Sequence, residues 1–301
     1  MSEGLGWPCS AVPRRGTGKR RSRGGTSLPS PPSGMLVVKQ DRGIILKSAR
    51  EIELMRKAGR VVRRVLGKVR ELAQPGVTTG ELNAAAEEMI DQAGGTALFA
   101  GVENPPARFP FPAALCTSVN EELVHGIPGD RVLKEGDILS VDCGVRLAGY
   151  CGDSAITIPI GEVSAEVRHL LEVTEKSLDL AIESMRPDRM WSEVARRIQA
   201  YVEGEGLSIV RDFVGHGIGA RMHEEPKVPN YWAKDQERLD FMLVPNMVIA
   251  VEPMVNLGKR GVEFGDATGW VVVTKDRKCC AHYEHTIAVT RDGTDVLTDG
   301  R

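Results

Sequence analysis

Two stretches of this chain, 112 residues apart, carry the same punctuation, and that repeat limits the fold more than any other feature. From Ser48 a helical pattern sets Ile52, Met55, Val62, Val65, Leu66 and Val69 along one face and stops before Pro75-Gly76. A second helix, through Leu82, Ala85, Ala86, Met89 and Ile90, halts at Gly94-Gly95. Ser48 to Glu51 and Thr78 to Glu81 both read as capping boxes, in which paired side chains satisfy orphan backbone donors at a helix start. After Gly161 the pattern begins again, with a helix over about 164–185, a break at Pro187 and a helix over about 191–203 ending at Gly204 and Gly206. Pro75 falls on Pro187, Glu81 on Glu193 and Gly94 on Gly206, and strand-like segments bearing His and acidic residues follow each helix pair. This predicts an α+β fold of two halves related by a pseudo-twofold, with helices on one face of a mostly antiparallel sheet. A site between the halves draws on both. The alternative is a chance likeness of two helix pairs.

Charge and composition narrow the partners. With 42% hydrophobic residues in 301, the chain can bury a substantial core. A net charge of −2 and a pI of about 6.3 imply no bulk attraction to DNA or to an anionic membrane. Six cysteines without a C-x-x-C pair point to reduced thiols, and no apolar run approaches a membrane span or a secretion signal. A cytoplasmic monomer is expected. Residues 1–34, rich in Pro, Gly, Ser and Arg, read as a disordered extension ahead of one catalytic domain over 35–301. Their basic run and Pro29-Ser30-Pro31-Pro32 suit contact with RNA, and hence the ribosome, or with an aromatic groove. A plain flexible tail, or Met35 as the actual start, is the simpler reading.

The chemistry gathers first on Val141-Asp142-Cys143-Gly144 and Gly152-Asp153-Ser154, two acids in apolar, β-prone surroundings. If the turn of the hairpin centres between Leu147 and Ala148, Asp142 and Asp153 sit directly opposite each other and share a face. Two unpaired anions there repel, so they require a shared proton, a basic partner or a cation. A solvated hairpin face is the bland alternative. Strand-like segments further on carry His216 in Val214-Gly215-His216-Gly217-Ile218-Gly219, then His223, Glu252 in Val248 to Met254, and Glu284 in His282 to Ile287. Acids inside apolar strands are seldom left unpaired. Four carboxylates and one imidazole suit two divalent cations, of Mn²⁺, Fe²⁺, Co²⁺ or Zn²⁺. His223-Glu224-Glu225-Pro226-Lys227 breaks the H-E-x-x-H pattern, which disfavours a thermolysin-like zinc helix.

Cys116 to Glu121, Val124-His125-Gly126-Ile127-Pro128, the Asp142 and Asp153 pair, Gly215 to Gly219, Glu252-Pro253-Met254 and Tyr283-Glu284-His285-Thr286 together resemble the type I methionine aminopeptidases. The resemblance spans about residues 36–292 and implies their pita-bread fold around a dinuclear site. It implies that Asp142, Asp153, His216, Glu252 and Glu284 are the metal ligands, with Asp153 and Glu284 bridging. In the chemistry it implies, paired cations about 3.5–4 Å apart activate a bridging water, as hydroxide, to attack the scissile carbonyl. Glu252 then shuttles the proton, His223 hydrogen-bonds the carbonyl or its oxyanion, and His125 contacts the scissile nitrogen. The methionine side chain falls to Phe111, Cys116, Met222, Met254 and Trp270, an apolar, polarisable set. Met222 stands where the family often has an aromatic, His282 where it often has glutamine, and Cys279-Cys280 is an unfamiliar pair. His169, His282 and His285 are expected to be ordinary core or surface residues.

The activity so implied is removal of the initiator methionine from nascent chains whose second residue is small. Prolidases and proline aminopeptidases resemble the chain less, because they usually carry a sizeable domain before the catalytic one. Type II enzymes usually carry a long insertion between the last two ligands, whereas 31 residues separate Glu252 from Glu284. Pita-bread proteins that serve only as binding modules have substituted ligands, and all five stand here.

Overall fold

A computed structural model describes residues 43–300; the expected extension at 1–34 lies outside the described residues. The four helices are α1 (Ala49–Leu72), α2 (Thr79–Gln92), α3 (Ala165–Ser184) and α4 (Trp191–Gly204). Both capping boxes form. Glu51 N donates to Ser48 Oγ at 3.3 Å while Ser48 N donates to Glu51 Oε2 at 2.7 Å, and Thr78 with Glu81 repeats this at 3.2 and 2.8 Å. In the second half Met190 replaces the capping threonine, and α4 starts instead on Asp240 Oδ1, which accepts from Ser192 N at 2.9 Å.

The strands of the first half are β1 (Thr96–Ala97), β2 (Leu115–Val119), β3 (Glu122–Val124), β4 (Ile138–Leu147) and β5 (Tyr150–Pro159). Those of the second are β6 (Ser208–Ile209), β7 (Gly215–Gly217), β8 (Glu224–Val228), β9 (Val248–Val251), β10 (Met254–Asn256), β11 (Val262–Phe264), β12 (Val272–Thr274), β13 (Cys280–His282), β14 (His285–Val289) and β15 (Thr294–Val296). Among the described residues every ladder between named strands is antiparallel. β4 pairs with β5 on one side and with β2 and β1 on the other, whereas the larger second-half sheet runs β15-β14-β9-β7-β8.

The repeat is structural. α4 follows α2, and β6 follows β1, at the same 112-residue spacing. Gly76 (φ 94°) and Asp188 (φ 66°) both turn left-handed between their helices, as do Gly94 (φ 68°) and Gly206 (φ 79°) after them. Aspartate tolerates that region better than most residues, so the backbone persists where the side chain differs. One core runs through both halves, joining Val62 and Leu66 of α1, Leu139 and Val141 of β4, Val194 and Ile198 of α4, and Val251 and Ile287 of the second sheet. Helix α1 lies hard on β5. A Cβ added to Gly152 would stand 2.7 Å from Gly59 N, so glycine at this crossing permits the approach.

The hairpin register differs from the expectation. Leu147 pairs with Tyr150, so the loop is Ala148-Gly149, both with positive φ (51° and 86°) as a type I′ turn needs. Asp142 therefore faces Ala155, and Asp153 faces Gly144. A slip of two residues keeps the side chains on one face, so the acids are diagonal neighbours rather than opposed ones.

Candidate metal centre and substrate pocket

Sheet periodicity carries the second-half acids to the same place. His216 faces Ala250, and Ala250 also faces Thr286. Glu252 and Glu284 each lie two residues along from that row, so with His216 they point to one side of the sheet. The pairings Val251 with His285 and Met254 with His282 share one register, which places Glu252 and Glu284 across from each other where the ladder breaks at Pro253. The two hairpins are stitched together at these acids. Glu284 N donates to Ala155 O at 2.9 Å, Ser154 Oγ to Glu284 O at 2.5 Å, and Asp153 N to Thr286 Oγ1 at 3.0 Å, while Thr286 Oγ1 donates to Asp153 O at 2.8 Å.

One ligand atom each from Asp153, His216 and Glu284 falls within 4.8 Å of the others, and all three residues are buried. Glu252 joins them, its Oε1 3.7 Å from His216 Nε2, and Asp142 lines the same cavity. Asp142 Oδ1, Asp153 Oδ1 and Glu284 Oε1 are buried without a hydrogen bond. Burial first, and then the neighbouring carboxylates, push Asp142 and Glu284 well above the usual carboxyl range and Asp153 to about 8. His216 Nδ1 lies 3.0 Å from Gly217 O; a carbonyl can only accept, so Nδ1 carries the hydrogen and Nε2 presents its lone pair inward. Orphaned carboxylate oxygens beside an oriented imidazole fit divalent cations. Their mixed oxygen and nitrogen donors suit manganese, iron, cobalt or zinc.

A cavity of about 430 Å³ opens from these residues, with His125, His223, His282, Phe99, Phe213 and Met254 among its walls. The His223 ring stands 4.4 Å from that of His216 at 74°. Burial lowers His125 to about 3 and His223 to about 2, so both are neutral hydrogen-bonding groups through the physiological range. His125 has φ 60°, uncommon for a residue with a side chain, and a Cβ on the following Gly126 would lie 2.1 Å from Thr117 O. Close packing of Gly126 on β2 thus holds His125 in place. Next to it, Phe99, Phe111, Ala113, Cys116, Met222 and Trp270 form one apolar cluster, with Phe111 edge-on to Trp270 at 5.2 Å and Trp270 6.2 Å from His125. Burial and Asp142 raise the Cys116 thiol well above its ordinary range, so it stays protonated and apolar in character.

Residues 53–291 match the model of metallopeptidase family M24. Methionine aminopeptidase 1 of Bacillus subtilis (strain 168) is 47% identical over 255 residues, covering 85% of this chain and 99% of that protein. The chain belongs to the methionine aminopeptidases of metallopeptidase family M24. The methionine aminopeptidase of Escherichia coli (strain K12) is 38% identical over 257 residues, 85% of this chain and 94% of its own. The crystal structure of the Thermotoga maritima methionine aminopeptidase superposes with a TM-score of 0.79 at 38% identity, covering 85% of this chain and 99% of that one. A prolidase from Pyrococcus furiosus, at 21% identity and a TM-score of 0.65, covers 85% of this chain and 66% of its own and shares the fold. The expected pita-bread fold is thus the fold of this metallopeptidase, and divalent metal is its cofactor.

Met254 lies on the cavity wall, packed against Leu123, Val124, Val210 and Phe213, whereas Phe111, Cys116, Met222 and Trp270 form the cluster that meets the cavity through Phe99. Within this aminopeptidase site, one expectation needs correction. His282 is no ordinary core residue. It lies on the cavity wall with Nε2 3.5 Å from Glu252 Oε2, and it shares the inward face of Glu284 because the two are separated by one residue of strand period. That alternation was the available signal. His169 and His285 are as expected, the first at the surface 3.2 Å from Glu205 O, the second half-buried with Nδ1 2.8 Å from Thr298 Oγ1. Phe99, Phe213 and Asn230, whose Nδ2 donates to Glu252 O at 2.9 Å, escape sequence reasoning because no local pattern marks them.

Proposed function

We propose that this chain cleaves the N-terminal methionine from nascent polypeptides with a small second residue. The observation that carries this reading is the joining of buried Asp153, His216 and Glu284, within 4.8 Å, to a cavity flanked by the Phe111 and Trp270 cluster. Asp142, Asp153, His216, Glu252 and Glu284 would hold two cations, with Asp153 and Glu284 shared between them. Bound divalent cations supply an activated water near neutral pH and polarise the carbonyl. The Glu252 carboxylate takes the proton of the attacking water and passes it toward the departing amine. His223, neutral through burial, donates to the carbonyl oxygen as that atom gains charge. His125 contacts the scissile nitrogen, and Phe111, Cys116, Met222, Met254 and Trp270, with Phe99, receive the thioether side chain.

With added Mn²⁺ or Co²⁺, the purified protein is expected to release methionine from Met-Ala-Ser and to act at least about tenfold more slowly on Met-Leu-Ser, since a wall shaped for a small side chain rejects a larger one. Release from neither peptide, or preference for proline peptides, overturns the reading. We further place the catalytic domain over 35–301 and the enzyme in the cytoplasm as a monomer. The basic residues of 1–34 make that segment the candidate ribosome contact. Equal co-sedimentation with ribosomes of the full chain and of one starting at Met35 would rule that contact out.

A further inference from the structure

The segment ahead of α1 reverses the usual placement of residue types. Ile45 and Leu46 are 45% and 51% exposed, whereas Lys47 is 3% exposed. A lysine is almost never buried without a partner. Its Nζ donates to Glu224 Oε2 at 2.8 Å, an ion pair spanning 177 residues, and to Ile45 O at 2.6 Å. Glu224 is equally enclosed, its side chain 3% exposed. Its other oxygen, Oε1, accepts from Arg221 N at 3.2 Å. The Lys47 stem runs directly over Gly219, where an added Cβ would lie 2.4 Å from Lys47 Cε. Lys47 is itself fixed, its N donating to Asn246 O at 2.8 Å.

What this pair underlies is the connection from β7 to β8, which begins after the candidate ligand His216 and carries Met222 and His223. Other bonds also hold the connection: Ile218 N donates to Val248 O at 3.2 Å, and Cys151 Sγ to Ala220 O at 3.7 Å. Gly219 O accepts from Cys151 N at 2.8 Å, and Gly219 N donates to Arg221 O at 3.0 Å. Glu224 opens β8 with its carboxylate on Lys47, and the adjacent His223 has its ring against His216 on the cavity wall. With Glu224 drawn back onto Lys47, His223 is directed forward into the cavity, against His216.

We propose that Lys47 is a positioning residue, which acts through Glu224 to hold His223 at the reacting carbonyl. The segment before α1 thereby belongs to the working site although it touches no substrate. This rests on the role proposed above for His223.

The test is a double-mutant cycle on the metal-loaded full chain. Lys47→Met, and separately Glu224→Gln as a milder change that keeps the side-chain length, are each combined with His223→Ala. In the parent background either change is expected to lower kcat by about 10- to 100-fold, as misplacement of a group by about an ångström does, with KM nearly constant and bound metal unchanged. In the His223→Ala background the same change should move kcat less than about twofold, because the group it positions is gone. An equal loss in both backgrounds, an unchanged kcat in folded variants, or a loss that follows metal content overturns the inference. Wild-type kcat in His223→Ala alone would instead refute the role of His223 itself.

Discussion

Replacing Glu252 by glutamine is expected to lower kcat by about 10²–10⁴-fold, the range for removing a positioned proton carrier. That equals about 3–5 kcal/mol of transition-state stabilisation. Glutamine has the shape of glutamate but can neither take a proton from water nor neutralise a cation. The surroundings that hold the side chain stay in place. Asn230 Nδ2 still donates to the Glu252 carbonyl, and His216 and His282 still approach the two ends of the side chain, at 3.7 and 3.5 Å in the parent. Loss of proton transfer must be separated from loss of metal, because Glu252 is also a candidate ligand. Steady-state kinetics at saturating Mn²⁺, with bound metal measured on the same samples, separates them. A variant that holds the parent's metal and turns over within tenfold of the parent would remove Glu252 from the proton pathway.

The residues of this site differ in how far a linear sequence can reveal them. Asp142 and Asp153 stand out because acids are rare in apolar strands, and the pairing error of two residues left them on one face. The error arose at Ala148, which adopts a positive φ that sequence reasoning reserves for Gly149. The helix repeat is legible because capping and stop signals are local, and it survives even at Met190, where the capping hydroxyl is lost. His282 had a signal, the two-residue spacing to Glu284, but its neighbours in sequence do not disclose that Glu252 lies across from it. Composition cannot say that Met254 packs with Leu123 and Phe213 while Met222 packs with Phe111 and Trp270. Lys47 had no signal at all. A basic residue beside a helix start reads as surface, and only the contact with Glu224 across 177 residues explains its burial.

Removing the metal should make this protein less stable as pH rises from about 6.5 to 8, opposite to the usual acid denaturation. Asp142, Asp153 and Glu284 have folded-state values raised by burial, Asp153 to about 8, whereas unfolded carboxyls titrate near 4. A group raised in this way contributes its full stability below the unfolded value and loses it as pH climbs through the folded one. Each carboxyl that keeps its proton in the fold therefore gives a slope of up to about 1.4 kcal/mol per pH unit. Three histidines lowered by desolvation act in the other direction. His125, His223 and His285 are lowered to about 3, 2 and 4, so their cost appears as pH falls below about 6.5, where unfolded imidazole takes up its proton. At pH 6.5 the unfolded imidazoles are still about half protonated, and their opposing contribution fades over roughly the next unit. The raised thiols of Cys116, Cys143 and Cys280 add a further loss in the same direction, which grows as pH nears about 8.5, where unfolded cysteine is half ionised. Between about 6.5 and 8 the carboxyl cluster thus outweighs the fading histidine contribution, most clearly in the upper half of the window. Urea unfolding of chelator-treated protein across it should show stability falling with pH. With Mn²⁺ the slope should reverse, because a cation binds the deprotonated ligands and gains affinity as protons leave. A metal-free stability that stays level or rises between these limits would mean that the three carboxyls are already ionised and that something other than a cation compensates their charge.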